Sequence, residues 1–315
     1  MLLNECKKLE FHKPDFEEAS ELSKIYALRD NKTCDSTVLD TYIWKELYNT
    51  RICKLEDAAF ILMQDEKGYF AAMPYCKEED LPKAFELLKS FFHEELKSPL
   101  RIDLADEDAL KVLGFDDFAS NGEYVIEEES DLKDYLYDAE SLRTLAGKKY
   151  QKKRNLVNKF MKEYEGRWEY KTMCCTDEYF LEEFMKKWID VKLSEGVESK
   201  DTLLIEKDGI IDILRNCDKV TYRVGGIFID EMLEAFTIGS YNSREKMAVI
   251  SIEKGNPDIP GIYQVINQQF LQNSYEEAEI VNREDDMGIE GLRHAKESYN
   301  PIGFARKYRM YEKKL

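Results

Sequence analysis

Histidine is nearly absent from this chain, with three in 315 residues. His12, His93 and His294 stand far from one another and from any cysteine cluster, so a histidine-based relay or zinc site has no support. The seven cysteines are odd in number and irregular in spacing, with no C-x-x-C pair. That argues against a disulfide framework and against structural zinc, and no metal is expected. Cys174 and Cys175 read as small buried hydrophobes. No apolar run exceeds residues 58–63, far below the roughly 18 residues that span a bilayer. Residues 1–5 turn polar at once and hold no signal-peptide core. A cytoplasmic protein is expected, peripheral to a membrane at most. Positive charge is in short supply: 46 Lys and Arg face 64 Asp and Glu, a net charge of −18. Such a balance opposes indiscriminate phosphate binding. There is no Walker lysine loop, no G-x-S-x-G and no low-complexity stretch.

What is present is enough apolar material for sizeable cores, 43% hydrophobic and 12% aromatic. The length suggests two domains of about 150 residues each. Spacing predicts a helix over 15–29, two strands within 57–76 around the turn Asp65-Glu66-Lys67-Gly68, and a helix over 79–97. Short strands follow at 100–104 and 124–126. A long charged helix is expected over 138–165. Beyond it come a strand at 168–173, helices near 177–194 and 202–216, and strands at 220–229, 232–240 and 247–252. Asp230-Glu231 marks a tight hairpin. A helix to about 272, a strand at 278–281, a short helix and a closing strand at 304–311 complete the chain. The expected division is 1–130, a bridging helical segment 131–165, and 166–315. The two halves repeat the order of elements, not the letters.

Residues 282–301 carry the densest charge. Arg283, Glu284, Asp285, Asp286, Glu290, Arg293, Lys296 and Glu297 crowd between a strand and Pro301. Part of this is ordinary helix chemistry. Asp285 or Asp286 can cap a helix, Glu290, Arg293 and Glu297 can pair on its surface, and Met287, Ile289, Leu292 and Tyr299 would form its core face. Two glycines in such a helix cost about 1 kcal/mol each. Their presence hints at a site that something approaches closely. A second concentration, Lys148, Lys149, Lys152, Lys153 and Arg154, stands out against the acidic whole. It reads either as a solvated face or as footing for an anionic ligand, with Asn155 and Asn158 able to add hydrogen bonds.

The segments NREDDMGIEGLRHAKESYNP (282–301), GKKYQKKRNLVNKF (147–160) and IEKGNPDIPGIYQVINQQF (252–270) resemble a bacterial family related to the cytosolic catalytic domain of phosphatidylglycerol lysyltransferases. The resemblance spans nearly the whole chain. It implies an α/β fold of two tandem GNAT-like acyltransferase domains, each a mixed, mostly antiparallel sheet flanked by helices. It also implies aminoacyl transfer from a charged tRNA to a lipid headgroup, a peptide or a small molecule. On this reading the chain is expected to differ from the lysyltransferases in lacking their multi-span membrane portion. Coenzyme A is disfavoured as donor. The turn 253–261 holds two prolines that remove N–H donors, and Glu253 and Asp258 would repel pyrophosphate. On this resemblance Glu284 or Asp286 serves as base, and Arg293 or Lys296 holds an oxyanion, phosphate or carboxylate. Glu284 or Asp285 could instead pair with a cationic donor. Lys149, Lys153, Arg154 and Asn158 are candidates for a tRNA end or anionic headgroup, with Glu253, Lys254 and Arg283 beside them. A coenzyme A-dependent N-acetyltransferase and a non-catalytic binding module are the alternatives. The site is expected in a hollow of the C-terminal half.

Overall fold

The structure, a computed structural model, describes residues 8–115, 122–196 and 199–313. Residues 1–5, read above for a signal core, lie outside them. In chain order the first part runs α1 (Ala19–Tyr26), α2 (Val38–Ile43), β1 (Arg51–Leu55), β2 (Ala58–Asp65), β3 (Gly68–Ala71), α3 (Leu81–Glu94), β4 (Arg101–Asp106), α4 (Glu107–Val112) and β5 (Tyr124–Glu128). There follow β6 (Asp134–Asp138), α5 (Ala139–Thr144), α6 (Gln151–Glu163), β7 (Trp168–Met173), α7 (Glu178–Glu195), α8 (Lys200–Arg215), β8 (Arg223–Ile229), β9 (Met232–Asn242) and β10 (Met247–Gly255). The last elements are α9 (Ile262–Ser274), β11 (Ile280–Asn282), α10 (Glu290–Glu297), β12 (Gly303–Ala305) and β13 (Lys307–Glu312).

Two mixed sheets result, ordered β1-β2-β3-β4-β13-β5 and β12-β6-β11-β10-β9-β8-β7. Two neighbouring pairs are parallel, β3 with β4 and β10 with β11. Each closes the same connection: a three-stranded meander, then a helix, then a parallel return strand. The β8–β9 hairpin turns at Asp230-Glu231, both with positive φ (48° and 67°), the conformation that matches strand twist.

The core is layered. On β2, Phe60 and Leu62 face α3, while Ala59 and Ile61 face the other way, so both sides of this strand are buried. Apolar residues of β8, β9 and β10 pack under α6 and α9. The remaining faces of both sheets share one cluster with α1, α2, α7 and α8. Gly209 makes this possible: a Cβ there would lie 2.1 Å from the Ile43 carbonyl oxygen, so α2 and α8 touch backbone to backbone.

Three expectations need correction. The helix over 138–165 is broken. Residues Asp134–Asp138 are a strand, and the chain turns at Leu145 (φ 51°) and Gly147 (φ 84°) before α6 begins. Arg154 donates to the carbonyls of both turning residues and so satisfies the broken ends. The closing strand over 304–311 is two strands in different sheets: β12 pairs with β6, and β13 lies between β4 and β5. Alternation reveals a strand but not its sheet. Finally, Met287, Ile289 and Leu292 are exposed, and Tyr299 alone of that expected core face is buried.

Candidate active site

The site grows from the end of β11. Asn282 is fully buried, and its side chain ties three segments together. It accepts from the Glu284 backbone N–H at 2.7 Å and donates to the Lys32 carbonyl (2.8 Å) and to Asp134 Oδ2 (3.0 Å). The turn this enforces puts Glu284 at φ 57°, a conformation that non-glycine residues adopt only when held. Asp134, first residue of β6, also accepts from the Cys34 N–H at 2.5 Å, and its Oδ1 is ion-paired with Lys307 Nζ at 2.8 Å. Lys307 opens β13, so this one ion pair joins the two sheets. Its ammonium also lies 3.1 Å from Cys34 Sγ, 3.6 Å from Asp35 and 3.8 Å from Asp285. Burial works against that charge, but Asp134, Cys34 and the two further carboxyls outweigh it and raise the Lys307 pKa.

Asp40, on α2, faces Glu284 across this knot. Their carboxyl oxygens and Cys34 Sγ lie within 4.8 Å of one another. Both Asp40 oxygens and Glu284 Oε1 are shielded from solvent and have no hydrogen-bond partner. Burial pushes Asp40 up to about 7, with Asp35 adding to the effect. It pushes Glu284 well above the carboxylate range, with Asp40 adding to the effect. Cys34 is likewise raised by burial and by Asp134. Among the described residues this trio is the group that could hold a metal ion. With all three raised and the Lys307 ammonium against the sulfur, the set suits shared protons better than a cation.

Asp35 and Asp40 line a cavity of about 300 Å³ against the first sheet. Its walls carry Trp44, Tyr48, Phe70 and Tyr75 and three arginines. Each arginine is already matched. Arg29 grips Asp106 at 2.7 and 2.6 Å, Arg101 holds Asp65 and Asp103, and Arg309 reaches Asp103 and Glu129. Asp40 stands out as the unmatched acid. The hollow was expected in the C-terminal half. The cavity instead abuts the N-terminal sheet and meets the 282–296 segment through the Asp40–Glu284 pair.

The other expected residues fall into separate places. Asp286 accepts from Tyr135 Oη (2.6 Å), from Arg293 Nε and Nη2 (2.9 Å each) and from the Gly288 N–H (2.9 Å). These bonds, Arg293's first, hold its carboxyl down to about 2, too weak a base for neutral pH. Arg293 spends its remaining reach on Asp131. Asp285 caps the Met287 N–H. Lys296 is lowered by burial and by Arg283, and donates to the Arg283 carbonyl. Arg283 pairs with Glu253 at 2.6 Å, and Asn267 donates to the same carboxylate. Lys254 points to the opposite face of β10, paired with Glu206 at 2.9 Å over the Trp188 ring. Lys153 donates to Ser298 Oγ, Arg154 braces the turn before α6, and Lys149 and Asn158 are exposed. Cys174 is exposed rather than buried. Sequence reasoning missed Cys34, Asp35, Asp40, Asp134 and Lys307. The one available signal was an acid, Asp40, inside the short apolar run 38–44.

The fold is thus two mixed sheets sharing a helical middle layer, with the Asp40–Glu284 carboxyl pair beside a cavity. The chain belongs to the family described as phosphatidylglycerol lysyltransferase, C-terminal, whose model matches residues 26–311. A conserved protein of unknown function from Bacteroides thetaiotaomicron shares the fold at TM-score 0.85 and 24% identity, over 97% of this chain and 100% of that one. The L-PGS of Bacillus licheniformis shares it at TM-score 0.67 and 14% identity, over 99% and 95%. An uncharacterised protein of Mycoplasmoides gallisepticum is 28% identical over 175 residues. That match spans 55% of this chain and about half, 54%, of that relative. Among the described residues no helix is long and apolar enough to cross a membrane.

Proposed function

We propose that the protein moves an aminoacyl group from the 3′ end of a charged tRNA to an amine or hydroxyl acceptor. One observation carries the reading: a carboxyl poised near neutrality, Asp40, on the wall of a cavity and backed by Glu284. The acceptor's nitrogen or oxygen attacks the ester carbonyl and its proton passes to Asp40. The tRNA's terminal oxygen then leaves with a proton returned from the pair. The step as written calls for no metal. Trp44, Tyr48 and Tyr75 beside Asp35 suit a cationic aminoacyl side chain, by ring faces and by charge. The family description supports a lysyl-type donor and a lipid headgroup hydroxyl as acceptor. Charged tRNA places the reaction in the cytoplasm, with a lipid acceptor met at the membrane surface.

We read the two recurring meander–helix–strand units as tandem GNAT-like domains. Coenzyme A suits them poorly. Toward the end of β10 stands the carboxylate of Glu253, held by Arg283 and Asn267, a negative charge that would repel a pyrophosphate. The test supplies tRNA charged with radiolabelled lysine, arginine or alanine, together with phosphatidylglycerol vesicles or small amines. Label should appear in an acceptor and fall about 100-fold with Asp40→Asn. Consumption of acetyl-CoA without aminoacyl transfer overturns the reading.

A further inference from the structure

The chain brings the end of α8 back to the start of α7. Arg215, last residue of α8, donates from Nε (3.0 Å) and Nη2 (2.6 Å) to Oε1 of Glu178, first residue of α7. Cys217 stands two residues beyond Arg215, and Cys175 three residues before Glu178. The ion pair therefore holds both thiols at one end of the helix pair. Cys175 is the neighbour that acts first on the Cys217 thiol and raises it, ahead of burial and of Asp218. Cys217 is exposed and Cys175 half-buried, so a small oxidant can reach the pair. Tyr222 joins the group: its hydroxyl is shielded with no partner, and burial, then Cys217, Cys175 and Cys174, raise it. Cys174 itself turns to the Thr176 hydroxyl at 3.0 Å. Neighbouring thiols can also hold a soft metal ion. Among the described residues, however, the set with metal-ligand spacing is Cys34, Asp40 and Glu284, which leaves this one as a dithiol.

We propose that Cys175 and Cys217 are a modification site for peroxides, closing into a reversible disulfide that locks the end of α8 to the start of α7. One sulfur attacks the peroxide O–O bond and becomes a sulfenic acid, and hydroxide leaves. The second sulfur then attacks the first, the S–S bond forms, and the sulfenic oxygen departs as water. In sum two thiols give up two electrons and two protons, and hydrogen peroxide becomes two waters. Cys174 is the wrong partner for Cys175. Adjacent Cα atoms stand about 3.8 Å apart, below the roughly 4.4 Å that a disulfide needs. The bridge encloses both helices, and α8 carries α2 on Gly209. Oxidation therefore stiffens the element on which the helix of Asp40 rests.

The whole chain would be treated with hydrogen peroxide, digested without reductant and read by mass spectrometry. A linked peptide pair joining residue 175 to residue 217 should appear, and dithiothreitol should release it. The treated protein should melt about 5 °C higher than the untreated. Cys217→Ser should abolish both the link and the shift. Cys174→Ser should keep both, which separates Cys175 from the cysteine that shares its peptide. No link in wild type, sulfinic acid in its place, or a link lost in Cys174→Ser overturns the pairing. A linked protein that melts no higher, or a shift that persists in Cys217→Ser, overturns the lock. Neither readout needs a substrate, so aminoacyl transfer that fails leaves the site standing.

Discussion

Asp40 holds its proton more tightly in the folded protein than in the unfolded chain, because burial and Asp35 raise it from 3.8 to about 7. Its contribution to stability is therefore complete below about pH 4 and is lost as pH climbs through 7. Glu284 moves in the same direction. Asp40→Asn removes one of these titrations. Denaturation midpoints followed from about pH 5 to about pH 8 should then fall less steeply in the variant than in wild type. Transfer has the opposite sign. The base must be ionised, so wild-type kcat/KM should rise with pH to a plateau above about 7. An unchanged profile in Asp40→Asn would remove Asp40 from the chemistry. Asp286 is a contrasting case. Its carboxyl is depressed to about 2, so its contribution persists above the ordinary carboxylate range and is lost only as pH falls through that value. Asp286→Asn should cost about 2 kcal/mol in denaturant titration while the midpoint of the pH–rate profile stays put. The cluster at Arg283, Glu284 and Lys296 was legible because charge crowded a strand end. Asp40 was not. Its meaning depends on Glu284, which only the folded chain brings beside it; an acid inside the short apolar run 38–44 was its one trace in the sequence.

Helices and strands with clean periodicity were readable, and their breaks were not. The helix α3 follows from apolar residues at helical spacing, and β2–β3 from apolar runs on either side of the turn Asp65–Gly68. The break at Leu145–Gly147 depends on Arg154 reaching back to two carbonyls, a contact no periodicity encodes. Helix α2 shows the same point with a functional consequence. It is six residues long and keeps its place by lying directly on α8 through Gly209. Gly209→Ala would drive a methyl to within 2.1 Å of the Ile43 carbonyl, so α2 must shift. The expected cost is about 1–3 kcal/mol of stability, read as a lowered melting temperature. Asp40 rides on α2 and should move with it. Transfer measured well below the melting temperature should therefore fall further than the loss of folded protein explains. Activity that tracks the folded fraction alone would mean α2 does not position the base.

The whole molecule is knotted energetically at the place where the expected domain boundaries fail. The division at 130 and 165 separates neither sheet cleanly, because β6 begins before the second boundary and β13 returns to the first sheet. Strand β13 supplies the partner through which β5 joins the sheet, while β3 and β4 share one paired position, Ala71 with Ile102. Without β13 the first sheet would hold three strands firmly, β4 by a single paired position, and β5 not at all. Asp134 and Lys307 pin that crossing with a buried ion pair, where loss of one partner typically costs 3–5 kcal/mol. The middle core layer draws Leu39, Tyr42 and Ile61 from the first part, and Leu203, Phe236 and Ile238 from the second. Neither half can lose its packing without exposing the other's. The chain should therefore unfold in one transition despite its length. Trp44 reports on the first half, and Trp168 and Trp188 on the second. Denaturant titrations of Trp168→Phe/Trp188→Phe and of Trp44→Phe, each followed by the remaining fluorescence, should agree in midpoint with their own circular dichroism. A fluorescence midpoint that departs from the circular dichroism in either variant would mean the halves come apart independently. The Asp134–Lys307 crossing would then be a surface between two domains rather than the centre of one structure.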